Sequence, residues 1–115
     1  VRKYVEIFKS LGAANRVRIV AALSSRPACV CELAHALSLN QPNLSRHLRV
    51  LENAGLVESR RAGGWTDYRL ARHAGNKPLL ALLRKLATTD PALKRDVKAL
   101  RKTDRVQIHK SQRRS

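Results

Sequence analysis

Between Cys29 and Leu56 the chain reads CVCELAHALSLNQPNLSRHLRVLENAGL, and this stretch limits the possible folds more than any other. Val30, Leu33, Ala34 and Leu37 stand at i, i+3, i+4 and i+7, the spacing of one buried helical stripe. Ser38-Leu39-Asn40 interrupts it. Asn40 suits an N-cap, Gln41 begins a second helix, and Pro42 falls in the first turn, where a missing N–H costs little. Leu44, Leu48 and Leu51 form a second seam, and Asn53-Ala54-Gly55 supplies a glycine stop. Two helices this short must close their core with elements from elsewhere in the chain.

The flanking sequence offers such elements. Residues 2–9 place Val5 and Phe8, with Tyr4 and Ile7, on one side of about two helical turns, too short to stand without a partner. Asn15 to Ser25 sets Val17, Ile19, Val20 and Leu23 at helical spacing and predicts a core helix. From Leu56 the period changes to two: Val57 to Arg61 and Trp65 to Leu70 alternate on either side of Ala62-Gly63-Gly64, predicting a β-hairpin whose tip region carries Arg60, Arg61 and Arg69. Leu79 to Leu86 is a helix with leucines at 79, 80, 82, 83 and 86, more than one face of a small domain needs, and a subunit interface would absorb the excess. Past Pro91 the composition shifts to Lys and Arg. The expectation is a helix to about residue 102 and a disordered end at HKSQRRS, so that residues 1–90 form the domain and 91–115 a basic extension.

The fold class is therefore mainly α with a small β-hairpin, in the order of a winged helix-turn-helix. With the leucine seam inward, the second helix of the pair presents Pro42, Arg46, Arg49, Val50 and Asn53, with Gln41, Asn43 and Ser45 near its N-terminus. Arg suits guanine or phosphate, Asn and Gln suit adenine, and Ser suits phosphate. The charge supports a polyanionic partner: 24 Lys and Arg against 8 Asp and Glu give +16, and residues 1–93 alone hold fifteen basic against six acidic side chains. An architectural protein that binds any duplex shares this charge and stays open as an alternative.

The runs LGAANRVRIVAAL, CVCEL and LNQPNLSRHLRVLENAGLVESRRAGGWTDYRL resemble the ArsR/SmtB family of winged-helix metalloregulatory repressors over about residues 7–88. The pattern Q-P-x-x-S-R-H-L-x-x-L-x-x-A-G-L stands unbroken from Gln41 to Leu56. The resemblance implies a homodimer built on the first helix and the leucine-rich helix, a palindromic operator in double-stranded DNA, and release when an effector binds. It implies that Gln41, Asn43, Ser45, Arg46 and His47 belong to the reading helix; Arg49 beside them and Arg60 and Arg61 of the wing complete the expected DNA-binding set. For His47, beside the leucine seam, packing is as good a reading as DNA contact.

In the arsenic-sensing branch the motif resembles E-L-C-V-C-D-L-C. Here Cys29 and Cys31 match its first two thiols and Ala34 stands at the third. Two thiolates suit soft species, so the expected effector is As(III), Sb(III) or Hg(II), with Cys29 and Cys31 as metal ligands and His35, one turn on, as a possible third. Neighbouring Arg26 and the helix N-terminus are expected to lower the thiol pKa values. A redox switch, or thiols with no effector, remain alternatives. Leu79 to Leu86 carries no Asp or His, which argues against the zinc site of the other branch.

No catalytic His–Ser or carboxylate spacing stands out, and C-x-C is not the C-x-x-C of thiol oxidoreductases, so an enzyme is not expected. No apolar run approaches the roughly 20 residues that span a bilayer, and no basic helix carries aromatic anchors, which predicts a soluble, cytoplasmic protein without a membrane partner.

Overall fold

The computed structural model describes residues 1–108, so the expected disordered end at 109–115 lies outside the described residues. The elements follow one another as α1 (Arg2–Ser10), α2 (Ala14–Leu23), β1 (Ala28–Cys29), α3 (Val30–Leu37), α4 (Gln41–Asn53), β2 (Val57–Ala62), β3 (Trp65–Leu70), α5 (Lys77–Thr89) and α6 (Pro91–Lys102), with residues 105–108 again helical. A 3-10 turn at Ala74–Asn76 leads into α5.

The two-helix unit forms as its punctuation dictates. The Asn40 side chain caps α4 by accepting from the Asn43 N–H at 2.9 Å. Gly55, at φ +83°, turns the chain out of α4, with the Leu56 N–H on Leu51 O at 3.0 Å and the Gly55 N–H on Glu52 O at 3.0 Å. This is a Schellman closure, which needs a left-handed residue. The end of α3 uses the same device without glycine: Ser38 sits at φ +56° and the Leu39 N–H reaches Ala34 O at 3.0 Å.

Leu44, Leu48 and Leu51 of α4 are fully buried against Ile19 and Val20 of α2 and Leu33 and Leu37 of α3. Burial of each such leucine is worth about 1.5–3 kcal/mol. Leu80 and Leu83 of α5 close the same core, as does Leu100 of α6. Residues 91–102, whose Leu93, Val97 and Leu100 stand at helical spacing in a basic stretch expected to lie outside the domain, pack through Leu93 and Leu100 into its body. Asp96 adds a buried anchor, accepting from Arg18 Nε at 2.8 Å and Nη2 at 3.0 Å, while a third Arg18 bond holds Leu37 O at 2.8 Å. One guanidinium therefore joins α2, α6 and the end of α3, and its own pKa is raised chiefly by the hydrogen bond to Asp96.

The expected hairpin forms between β2 and β3, with Gly63 and Gly64 at φ +57° and +85° in its two-residue turn. Positive φ at both central residues matches the twist of the flanking strands. The sheet has three strands rather than two, in the order β1-β3-β2: Ala28 and Cys29 pair antiparallel with Tyr68 and Asp67. A two-residue strand has no periodicity to detect, and its pairing is set by a contact some 40 residues distant. This third strand fixes the first cysteine to the base of the wing.

Candidate DNA-reading surface and thiol site

The leucine seam of α4 faces inward, so its opposite side is set by helical geometry. Gln41, Pro42, Asn43, Ser45, Arg46, Arg49, Val50 and Asn53 are all exposed. The Arg46 guanidinium donates to the Asn43 side-chain oxygen, which joins two of the expected readers on one turn. His47 is half-buried, with Nδ1 3.4 Å from Arg16 Nη1. A guanidinium only donates, so this nitrogen accepts and the ring is neutral. Burial, then the charges of Arg16 and Arg46, hold the His47 pKa below its ordinary value. Among the predicted readers it is the one turned toward the core.

On the wing, Arg60 and Arg61 are exposed and, as consecutive strand residues, project from opposite faces of β2. Arg60 lies across from Asp67 and Arg61 across from Thr66. The third wing arginine is already engaged, with Arg69 Nε on Glu58 Oε1 at 2.7 Å. Glu52 of α4 accepts from Ser59 Oγ at 2.9 Å, tying the foot of the wing to the reading helix.

The thiols meet at the opposite end of α3. Cys29 is its N-cap and Cys31 lies in its first turn, with the two Sγ atoms 2.8 Å apart in hydrogen-bond contact. Cys29 is buried and Cys31 half-buried, and both are free. Glu32 completes a capping box: its Oε1 accepts the Cys29 N–H at 3.0 Å. Its other oxygen accepts from Arg26 Nη2 at 2.8 Å, and the same nitrogen reaches Leu100 O at 2.8 Å and Thr103 O at 2.9 Å.

This arrangement corrects the expected activation of Cys29. Burial, then the hydrogen bond with Cys31 and the neighbouring Glu32, push the Cys29 thiol up to about 12. The Arg26 charge that was expected to favour a thiolate is taken by Glu32. For Glu32, burial raises the carboxyl, but the Arg26 and Cys29 hydrogen bonds outweigh it and leave the pKa below the usual carboxylate value. His35 is exposed, and among the described residues no three His, Cys, Asp or Glu side chains are grouped to hold a metal ion. The site offers two sulfurs, adjacent and reachable through Cys31.

Glu32 and Asp96 are the residues that sequence reasoning passed over. Glu32 had a signal, since an N-cap residue followed three positions later by Glu before an apolar run is the capping-box spacing. Asp96 had none, because its partner Arg18 lies 78 residues away.

Comparison with known proteins agrees with this architecture. The profile of the family described as "Bacterial regulatory protein, arsR family" matches residues 14–59, which hold α2 to α4 and the thiols. The arsenical resistance operon repressor of Bacillus subtilis is 37% identical over 71 residues, covering 61% of this chain and 68% of that protein. The chain belongs to the ArsR/SmtB family. A second relative, the arsenic resistance transcriptional regulator ArsR1 of Pseudomonas putida, is 46% identical over 65 residues, which span 56% of this chain and 51% of that protein. The match thus spans about half the length of that ArsR/SmtB relative.

Among solved structures, the homodimeric winged helix-turn-helix DNA-binding domain of a possible ArsR-family regulator from Mycobacterium bovis superposes with a TM-score of 0.66 at 30% identity, covering 76% of this chain and 80% of that one. These ArsR/SmtB relatives are named as transcriptional regulators rather than enzymes. Among the described residues no helix is long and apolar enough to cross a membrane.

Proposed function

We propose that this protein is a dimeric, cytoplasmic transcriptional repressor that holds operator DNA through α4 and the β2–β3 wing. It lets go when a soft thiophilic effector bridges Cys29 and Cys31. The observation that carries the DNA-binding part is the exposed face of α4, where Gln41, Asn43, Ser45, Arg46 and Arg49 stand clear of the core beside the basic wing. Arg60 and Arg61 add phosphate contacts.

Dimerisation has its own support. Ile7 of α1 packs into the domain core, but Tyr4, Val5 and Phe8 stay exposed, Phe8 at 66%. On α5, Leu82 and Leu86 are exposed while Leu80 and Leu83 are buried. Two helices each carrying an unused apolar face match the homodimeric state of the Mycobacterium bovis relative. A two-fold pair of α4 helices then calls for a palindromic operator with half-sites about one helical turn apart.

Effector choice follows from the thiols. A linear two-sulfur ion with bonds of about 2.3 Å needs sulfurs about 4.6 Å apart, whereas a pyramidal centre needs only about 3.5 Å. Two sulfurs two residues apart on one turn suit the closer spacing. This favours As(III) or Sb(III) over Hg(II), as do the relatives named for arsenic resistance. A thiol held protonated is no obstacle to a hydroxide-bearing As(III) or Sb(III). As each sulfur–ion bond forms, one ion–oxygen bond breaks and the thiol proton leaves with the hydroxide as water. The same burial of Cys29 slows peroxide oxidation, which needs a thiolate.

Bridging Cys29 and Cys31 pulls on the start of α3, the helix that supports α4. A tenfold loss of occupancy requires the effector to prefer the released state by only about 1.4 kcal/mol. The DNA-binding reading is tested by anisotropy titration of the full chain, at physiological salt, on a palindromic duplex selected from a random pool and on its scrambled counterpart. A specificity ratio of about 10³ or more is expected, and a ratio near one identifies an architectural protein instead.

A further inference from the structure

The geometry points to a task for the polypeptide at the end of α6: we propose that residues Leu100–Arg105 carry the state of the thiol loop to the wing, with Arg26 and Arg105 as the positioning residues at its two ends. The proposal rests on the thiol-triggered release above and names its route.

A closed circuit of directional bonds runs through this segment. It starts at Cys29, whose N–H is held by Glu32 at 3.0 Å. Glu32 is held by Arg26, which also donates to Leu100 O and Thr103 O. These carbonyls lie at the C-terminal end of α6, where Leu100 O also accepts the Thr103 N–H at 3.1 Å, so Arg26 grips the turn that closes the helix. Past that end, Arg105 Nη1 donates to Asp67 Oδ1 at 2.7 Å, and the guanidinium lies 4.9 Å from the centroid of the Trp65 ring. Trp65 and Asp67 belong to β3, the inner strand of the wing. Asp67 is in register with Cys29 on one side and with Arg60 on the other, so the circuit returns to the thiols and touches a wing arginine.

Cys29 therefore cannot shift alone. Opening the two sulfurs to accept a bridging ion moves an N-cap residue tied to Glu32 and, through β1, to Asp67. The side-chain links of the circuit are charge-assisted, hence short and orientation-sensitive, and the β1–β3 pairing closes it through the backbone, so displacement is passed on rather than absorbed. The Arg105–Asp67 pair is the separable member, because both side chains are about one-third exposed and such pairs contribute little to folding. A variant that breaks it keeps the domain intact and exposes the coupling alone.

Trp65 is the chain's single tryptophan and so a built-in reporter. The test uses the full chain, arsenite as the probe, and an operator duplex. Arsenite capture is followed by sulfur–arsenic charge-transfer absorbance, wing state by Trp65 emission, and operator affinity by anisotropy. In the wild type, Trp65 emission is expected to change with the same midpoint as the absorbance. Arg105→Gln is expected to keep arsenite affinity and effector-free operator affinity within about threefold, to lose the Trp65 response, and to release operator less than about threefold instead of about tenfold. Arg105→Lys, which restores the cation without the fork, is expected to recover part of the release.

Full release by Arg105→Gln, or arsenite capture by the wild type with unchanged Trp65 emission, overturns the proposal and leaves the thiol trigger standing. Absence of the charge-transfer band in the wild type overturns both, and the missing absorbance marks the trigger itself as the failure.

Discussion

Replacing Glu32 by alanine tests whether this one carboxylate organises the thiol loop. Its side chain is 7% exposed, against 30% for Arg26. Alanine leaves the buried Cys29 N–H without its acceptor, at about 1–3 kcal/mol. Loss of the ion pair adds about 1 kcal/mol, discounted because Arg26 is partly solvated and keeps the two carbonyls of Leu100 and Thr103. A total near 3 kcal/mol is expected, on the order of 10–15 °C in Tm for a domain of this size. Glu32→Gln keeps one acceptor and should cost about 1 kcal/mol. Urea unfolding followed by circular dichroism, at one fixed protein concentration, measures both. The pH dependence follows from the lowered carboxyl. Its stabilisation is present above the unfolded value of about 4.3 and is lost as pH falls through the folded value below it. Glu32→Gln should therefore flatten part of the acid limb of the stability curve. A Glu32→Ala protein within about 0.5 kcal/mol of wild type at pH 7, or an unchanged acid limb in Glu32→Gln, refutes the reasoning.

Arg46→Ala should weaken specific operator binding by roughly 1–3 kcal/mol if Arg46 reads a base; an equal loss on scrambled DNA makes it a phosphate contact. Ala34→Cys places a third thiol one turn from Cys31 and should raise arsenite affinity by about tenfold or more, as read by isothermal titration, because trivalent arsenic then gains its third soft ligand. Since Cys29 stays protonated to about 12, a bare thiophilic cation such as Hg(II) must displace its proton. Its affinity should rise by at least about tenfold per pH unit between pH 6 and 8, the Cys29 proton alone supplying that much, while that of neutral arsenous acid stays flat. Identical pH slopes for the two would contradict the assigned protonation state.

Most of the fold was legible because local rules carry it. Asn40, Pro42 and Gly55 punctuate α4, three leucines give its inward face, and Gly63-Gly64 defines the wing turn. What stayed hidden depends on residues distant in sequence. The pairing of β1 with β3 and the Arg18–Asp96 clamp have no local signature. The thiol site was legible in composition but not in electrostatics. Cys29 and Cys31 do meet, yet the nearby arginine is drawn onto Glu32, and burial sets the protonation state. His47 shows the same limit, since its turn toward Arg16 follows from packing between α4 and α2.

The central claim is that DNA release is triggered at Cys29 and Cys31. The most direct measurement is an arsenite titration of operator-bound protein, comparing the wild type with the Cys29→Ser, Cys31→Ser double variant. Operator affinity without arsenite should be the same for both within about threefold, and arsenite should release only the wild type, by about tenfold or more. Equal release from the thiol-free protein would contradict the claim.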